Sequence, residues 1–133
     1  MEFKSQICTT KEQSERLLAL GLKKKTADMG IVKSTNEIYV GCPTDYSFEN
    51  GLHDPAWSLH RLIEMIPTTV PDKSYIEHNL MVDGTSISYY YFGEESWEIW
   101  RIWNDKELYD NVIDCIKWLI GEGHFDKEYL EEY

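Results

Sequence analysis

The sequence predicts an α+β fold: a three- to four-stranded antiparallel sheet (75–82, 85–92, 97–103, with 37–40 as a candidate fourth strand) packed by helices at 11–20, 55–66 and 106–120. Three observations predict it. Apolar and polar residues alternate on both sides of Asp83-Gly84, a strong hairpin signal because that dipeptide tolerates φ > 0 at both centres of a tight turn. A second turn at Gly93-Glu94-Glu95-Ser96 continues the alternation into a third strand. Three other stretches instead show the apolar spacing of a helix bounded by capping residues. At 133 residues the chain is long enough for one domain, 1–133, with its own core.

Helix 11–20 follows Thr10, a natural cap with Gln13 as its capping-box partner; Thr9 with Glu12 is the alternative. Leu17, Leu18 and Leu20 give it an apolar side. Gly21 suits the left-handed position after the helix, and Leu22 the apolar contact beyond it. Residues 23–36 have no clear period, Glu37–Gly41 reads as a short strand, and 42–53 is a turn-rich loop. Helix 55–66 is marked by Asp54 as cap, Pro55 at the first helical position and Pro67 as the stop. Ala56, Leu59, Leu62, Ile63 and Ile66 form its stripe, with Trp57 off it. Residues 67–74 read as a connector.

With Asp83-Gly84 at the tip, Val82 faces Thr85, Leu80 faces Ile87, His78 faces Tyr89 and Ile76 faces Tyr91, all on one face. An even-length second loop sets Phe92 opposite Trp97 and turns Trp100 and Ile102 inward; this is the preferred reading. An odd loop or a bulge would instead bring Trp97, Ile99 and Trp103 inward. The preferred register leaves Tyr75, Met81, Tyr90, Phe92, Trp97, Ile99, Arg101 and Trp103 on the other face. A solvated face should be mainly polar, so this one is either covered by N-terminal segments or a contact surface.

Helix 106–120 follows Asn104 or Asp105 as cap and carries a compact stripe of Leu108, Val112, Cys115, Ile116 and Leu119, with Ile113 and Ile120 at its border and Trp118 outside it. Asp126 can cap a last turn. Of the five tryptophans, only Trp100 falls on a predicted core face.

The net charge of −11 is uneven. Residues 1–40 carry seven Lys/Arg against five Asp/Glu, and residues 41–133 carry six against nineteen. Nucleic-acid affinity rests largely on cations that neutralise phosphate, so direct DNA or RNA binding is not expected. Lys23-Lys24-Lys25 follows a helix end, where cations suit the helix dipole. No apolar run approaches the roughly 18 residues a membrane span needs. The opening MEFKSQICTT has no signal-type apolar region, and Cys8, Cys42 and Cys115 lack metal spacing; free thiols in a cytoplasmic protein are expected.

No motif carries an obvious chemistry. His53 and His60 stand nearly two helical turns apart, and neither HExxH nor paired cysteines occur, so no metal is expected. His78 reads as a hydrogen-bonded core histidine beside Tyr89. Cys42 with His53 or His60 could make a nucleophile pair, although nothing flanking Cys42 activates it. No glycine-rich phosphate loop is present. The sequence leans away from an enzyme, and no cofactor is expected.

The surplus of outward rings points to a protein partner or self-association, a homodimer being one form of it. The candidate contact residues are Trp97, Trp103, Tyr90, Phe92 and Arg101, with Trp57 and Trp118 in addition. The rival readings are an acidic mimic of nucleic acid that inhibits a host enzyme, and a hydrolase or transferase using Cys42 and a histidine. The runs TTKEQSERLLALGLKKKTADM, DPAWSLHRLIEMIP and NVIDCIKWLIGEGHFDKEYLEEY together resemble small uncharacterised proteins of phages and mobile elements in gut Bacteroidales. The resemblance covers about half the chain, at its start, middle and end. It implies a bacterial or prophage setting and an accessory role, and brings no functional residue with it.

Overall fold

A computed structural model describes residues 5–41 and 48–132. The fold is α+β, with helices α1 (Lys11–Ala19), α2 (Leu59–Met65) and α3 (Leu108–Gly121) and two antiparallel sheets. The chain forms two compact units. One comprises the chain up to Met65 together with the chain from Asp126 onward; the other is Ile66–Phe125.

In the first unit, α1 begins as its residues dictate. Thr10 Oγ1 accepts from Gln13 N–H, and Gln13 Oε1 accepts from Thr10 N–H, closing a capping box. At its end Gly21 (φ 103°) lets Leu22 N–H reach Leu17 O and Gly21 N–H reach Leu18 O, the paired bonds of a Schellman stop. Residues 29–32, without a period of their own, form β1 (Met29–Val32). It is the centre of a three-stranded sheet between β2 (Ile38–Val40) and β3 (His53–Ala56). The strand predicted at 37–40 therefore exists but pairs with β1, through Gly30↔Tyr39, and does not extend the meander.

The helix predicted at 55–66 is shorter. Asp54 and Pro55 are strand residues, opposite Ile31 and Gly30. Proline lacks an N–H, which an edge strand such as β3 tolerates. Ser58 takes the cap role assigned to Asp54: its Oγ accepts from Arg61 N–H at 3.1 Å. Asp28 fixes Ser58 in turn, accepting from its N–H at 2.8 Å and its Oγ–H at 2.5 Å. Trp57, predicted off the helical stripe, is fully buried. Its N–H donates to Thr9 Oγ1 at 3.0 Å and its indole Nε1–H to Thr26 Oγ1 at 2.9 Å. At the far end of the chain Asp126 Oδ1 accepts from Glu128 N–H, capping the turn Lys127–Tyr129, and Lys23 N–H donates to Tyr129 O at 2.9 Å.

In the second unit four strands run in the order β4 (Thr69–Pro71), β5 (Glu77–Asp83), β6 (Ser86–Phe92), β7 (Trp97–Trp103). The predicted connector 67–74 thus supplies a strand, β4, paired to β5 through Val70↔His78. The hairpin pairing is slid by two residues from the predicted one, with Asp83↔Ser86, Val82↔Ile87 and Leu80↔Tyr89. Gly84 takes φ 59° while Thr85 keeps a negative φ, so Gly84-Thr85 form the two-residue loop. Glycine first and an ordinary residue second suits a type II′ turn. A slide of two preserves parity, so Ile76, His78, Leu80, Val82, Ile87, Tyr89 and Tyr91 do share a face. Tyr75, placed in the first strand by the sequence, lies instead in the turn before β5.

The second loop is even, with Phe92↔Trp97, but a bulge follows. Tyr90 opposes Ile99 and Tyr89 opposes Arg101, leaving Trp100 as the extra residue on β7. Beyond the bulge every face is reversed. Arg101 and Trp103, predicted outward, lie on the inner face opposite Tyr89 and Ile87, and Ile102, predicted inward, lies outward opposite Ser88.

Helix α3 covers the inner face. It starts at Leu108, later than predicted, and Glu107 at its cap position makes no side-chain bond, so neither Asn104 nor Asp105 caps it. Asn111, buried in its first turns, ties the preceding chain instead: its Nδ2 donates to Thr85 O and Lys106 O, both at 2.8 Å, and its Oδ1 accepts from Lys106 N–H at 3.2 Å. Val112, Ile113, Cys115, Ile116 and Leu119 are fully buried, each large aliphatic contributing about 1.5–3 kcal/mol.

Candidate functional site

The predicted contact residues separate into three groups. Trp57 is core, as described above, and is withdrawn from any surface. Tyr90, Phe92 and Trp97 remain together on the outer face of the second unit's sheet. The Tyr90 and Trp97 rings lie 4.4 Å apart, and the Phe92 ring meets Trp97 edge-on at 5.4 Å. Arg101, Trp103 and Trp118 meet on the opposite, helix-covered face.

The outer group is extended along β7, an edge strand. Phe92 is 63% exposed, Trp97 57%, Ile99 52% and Ile102 43%. The alternation that makes this face apolar also sets its charge. Glu77 and Asp83 fall on the same side of β5, and Glu94 and Glu95 occupy the adjacent turn. Within the four strands themselves the only Lys or Arg is Arg101, which lies on the other face; Lys73 stands in the turn between β4 and β5. Sequence reasoning missed Ile102 because the bulge that turns it outward leaves no mark in the pattern.

The inner group is built around Trp118, half-buried on α3. Its ring lies 5.3 Å from Trp100, 5.5 Å from Trp103 and 5.9 Å from His124. The Arg101 guanidinium sits over both Trp100 and Trp118, at 5.7 and 5.5 Å from the ring centres, within range of cation–π attraction. His78 is buried, as the sequence predicts, but beside Trp100 at 4.5 Å and edge-on to Tyr91 at 5.2 Å. Leu80, not His78, opposes Tyr89. His78 Nε2 lies 3.9 Å from Asp72 Oδ2, and its Nδ1 has no hydrogen-bond partner among the described residues, unlike the satisfied core histidine expected. Next to this cluster Trp100, Arg101, Trp118, His124 and the turn Asp72–Tyr75 line an open cleft of about 680 Å³.

Among the other titratable groups, burial pushes the Cys115 thiol and the Tyr89 phenol up, Tyr89 with a further contribution from Cys115. The Tyr89 hydroxyl donates to Pro67 O at 2.6 Å. Tyr91 is raised chiefly by its hydrogen bond to Glu98. Burial, then nearby Asp28, raises the Cys8 thiol. A thiol held in its neutral form is a poor nucleophile. Cys42 lies outside the described residues. His60 pairs with Glu64 at 3.0 Å, and the His53 ring lies against Tyr39. Among the described residues no three His, Cys, Asp or Glu side chains stand close enough to hold a metal ion, and no helix is long and apolar enough to cross a membrane. Lys23 and Lys25 line a cleft of the first unit with Arg61 and Lys127, but Glu64, Glu128 and Glu132 line it too. Comparison with protein-family models, curated proteins and solved structures returned no match.

Proposed function

We propose that the chain is a non-enzymatic protein-interaction module whose contact surface is the outer face of the second unit's sheet, centred on Phe92, Trp97 and Ile99. The supporting observation is the exposure of Trp97, Ile99 and Ile102 along the edge strand β7, with Phe92 exposed beside them on β6, where a soluble surface would carry polar groups. Aromatic residues in contiguous exposed patches are typical interface anchors. An edge strand also offers unpaired N–H and C=O groups to an added strand.

The charge of the face favours one kind of occupant. Its acids are Glu77 and Asp83, with Glu94 and Glu95 at the turn, and no strand cation offsets them. Two copies would set these acids against one another, whereas an extended segment that alternates Lys or Arg with apolar residues would complement them. An accessory role in a phage or mobile-element setting accords with this reading and rests on the resemblance alone.

The test is titration with two synthetic extended peptides of equal length, one alternating Lys with Val and one alternating Glu with Val, with sedimentation of the protein alone beside it. The Lys peptide should bind at least tenfold more tightly, lose affinity with added salt, and lose at least tenfold more with Phe92→Ala or Trp97→Ala. Equal binding of both peptides, or none, contradicts the reading. A concentration-dependent dimer abolished by Trp97→Ala would replace the basic partner with a second copy.

A further inference from the structure

We propose that the cleft beside Trp100 and Trp118 is a binding site for a small ligand consisting of a flat ring that carries one anionic group. It is independent of the outer face and stands or falls without it.

The first argument is an unused cation. The chain carries 24 Asp and Glu against 13 Lys and Arg, so an arginine without a carboxylate partner is not the default. Arg101 nevertheless makes no ion pair or hydrogen bond among the described residues; its guanidinium lies over the indoles of Trp100 and Trp118. A guanidinium held against aromatic faces keeps its planar fork of donors available and loses little freedom when a carboxylate or phosphate arrives.

The second argument is convergence. Lys73 and His124 line the same cleft, and neither is in an ion pair among the described residues. Two carboxylates also line it. Asp72 is committed to the turn: its Oδ1 accepts from Ser74 N–H at 2.7 Å and Ile76 N–H at 3.1 Å. Asp72 Oδ2 lies 3.9 Å from His78 Nε2 and Glu122 is exposed, so two carboxylates stand against the three cationic or protonatable groups Arg101, Lys73 and His124.

The third argument is strain. Tyr75 adopts φ 63°, a left-handed conformation that costs a non-glycine residue, and it is 88% exposed. The Asp72 bonds and the Tyr75 N–H to Asp72 O bond hold it there. The turn thus fixes an exposed Tyr75 among the residues that line the cleft with Trp100 and Trp118. A volume of about 680 Å³ accommodates a ring with its substituent. Rings for stacking and a pre-positioned guanidinium specify the shared chemistry; whether the anion is a phosphate or a carboxylate is read by experiment.

The probes are phenyl phosphate, benzoate, inorganic phosphate and phenol, titrated into the full chain with heat and tryptophan fluorescence as readouts. Phenyl phosphate or benzoate should saturate, and the tighter of the two identifies the anion. Inorganic phosphate and phenol should each bind at least tenfold more weakly than that ligand. Arg101→Gln should weaken the preferred ligand at least tenfold, and Lys73→Gln, on an exposed turn, should weaken it with an unchanged melting temperature. The proposal is overturned by the absence of saturable binding, by inorganic phosphate alone binding as tightly, or by full affinity in both variants.

Discussion

The indole of Trp57 donates to Thr26 Oγ1 at 2.9 Å, and Thr26 Oγ1 in turn donates to Lys23 O at 2.6 Å. This relay joins β3's end to the turn after α1 inside the first unit. It also explains why a tryptophan that helical spacing sets on a surface is buried: its strand neighbours carry it into the core, and Thr26 satisfies the one polar atom of the ring. Trp57→Ala should cost about 3–5 kcal/mol, the usual range for a buried large aromatic. Trp57→Phe keeps most of the volume but deletes the donor, and should cost about 1–3 kcal/mol. Urea denaturation measures both; a loss below 0.5 kcal/mol for the alanine variant, the order typical of surface positions, would contradict the burial.

Asn111 should matter more than a polar residue on a helix ordinarily does. Its amide serves Thr85 O and both backbone groups of Lys106, so it pins the β5–β6 turn and the approach to α3 at once. Asn111→Ala should destabilise by about 1–3 kcal/mol through the unpaired groups it leaves. Ile116→Ala, a pure cavity in the same helix, should cost about 2–5 kcal/mol. Equilibrium unfolding distinguishes the two, because only Asn111→Ala should also speed amide exchange in the Asp83–Ser86 turn.

Alkaline pH should destabilise the chain in a definite window. Folding raises the Cys115 thiol above its ordinary value of 9.0 and the Tyr89 phenol above 10.0. In both cases the folded state holds the proton more tightly than the unfolded state. The stability is therefore fully present below pH 9 and declines as pH rises, by up to about 1.4 kcal/mol per pH unit per group. Melting temperature should be level in this respect between pH 7 and 8.5 and fall from pH 9 to 11. Cys115→Ala should remove the first part of that fall. In the native protein Cys8 and Cys115 should resist a thiol reagent at pH 8 and react after urea is added.

Much of this was legible wherever a residue type has one dominant use. Thr10 with Gln13, Gly21 after the helix, and the face alternation from Glu77 to Ile99 each led to the right local structure, although the hairpin tip is Gly84-Thr85 and not Asp83-Gly84. Asp54-Pro55 misled because the same pair suits a helix start and an edge strand; the deciding partner, β1, has no periodic pattern to reveal it. The bulge at Trp100 is the costlier gap. One unpaired residue leaves the sequence looking like an unbroken strand, yet it reverses every later side chain. Tyr90, Phe92 and Trp97 precede it and keep their outward placement. Arg101 and Trp103 follow it and do not, which is how a residue expected on a contact surface comes to lie over Trp118 on the helix-covered side.

The most direct test of the central claim, that the exposed rings on the outer face of the second unit's sheet serve contact and not folding, is the stability of Phe92→Ala and Trp97→Ala measured by urea unfolding. The account predicts changes within about 0.5 kcal/mol for each, as at exposed positions. A loss of about 3–5 kcal/mol in either, the range for a buried aromatic, would show the rings to be core and would contradict it.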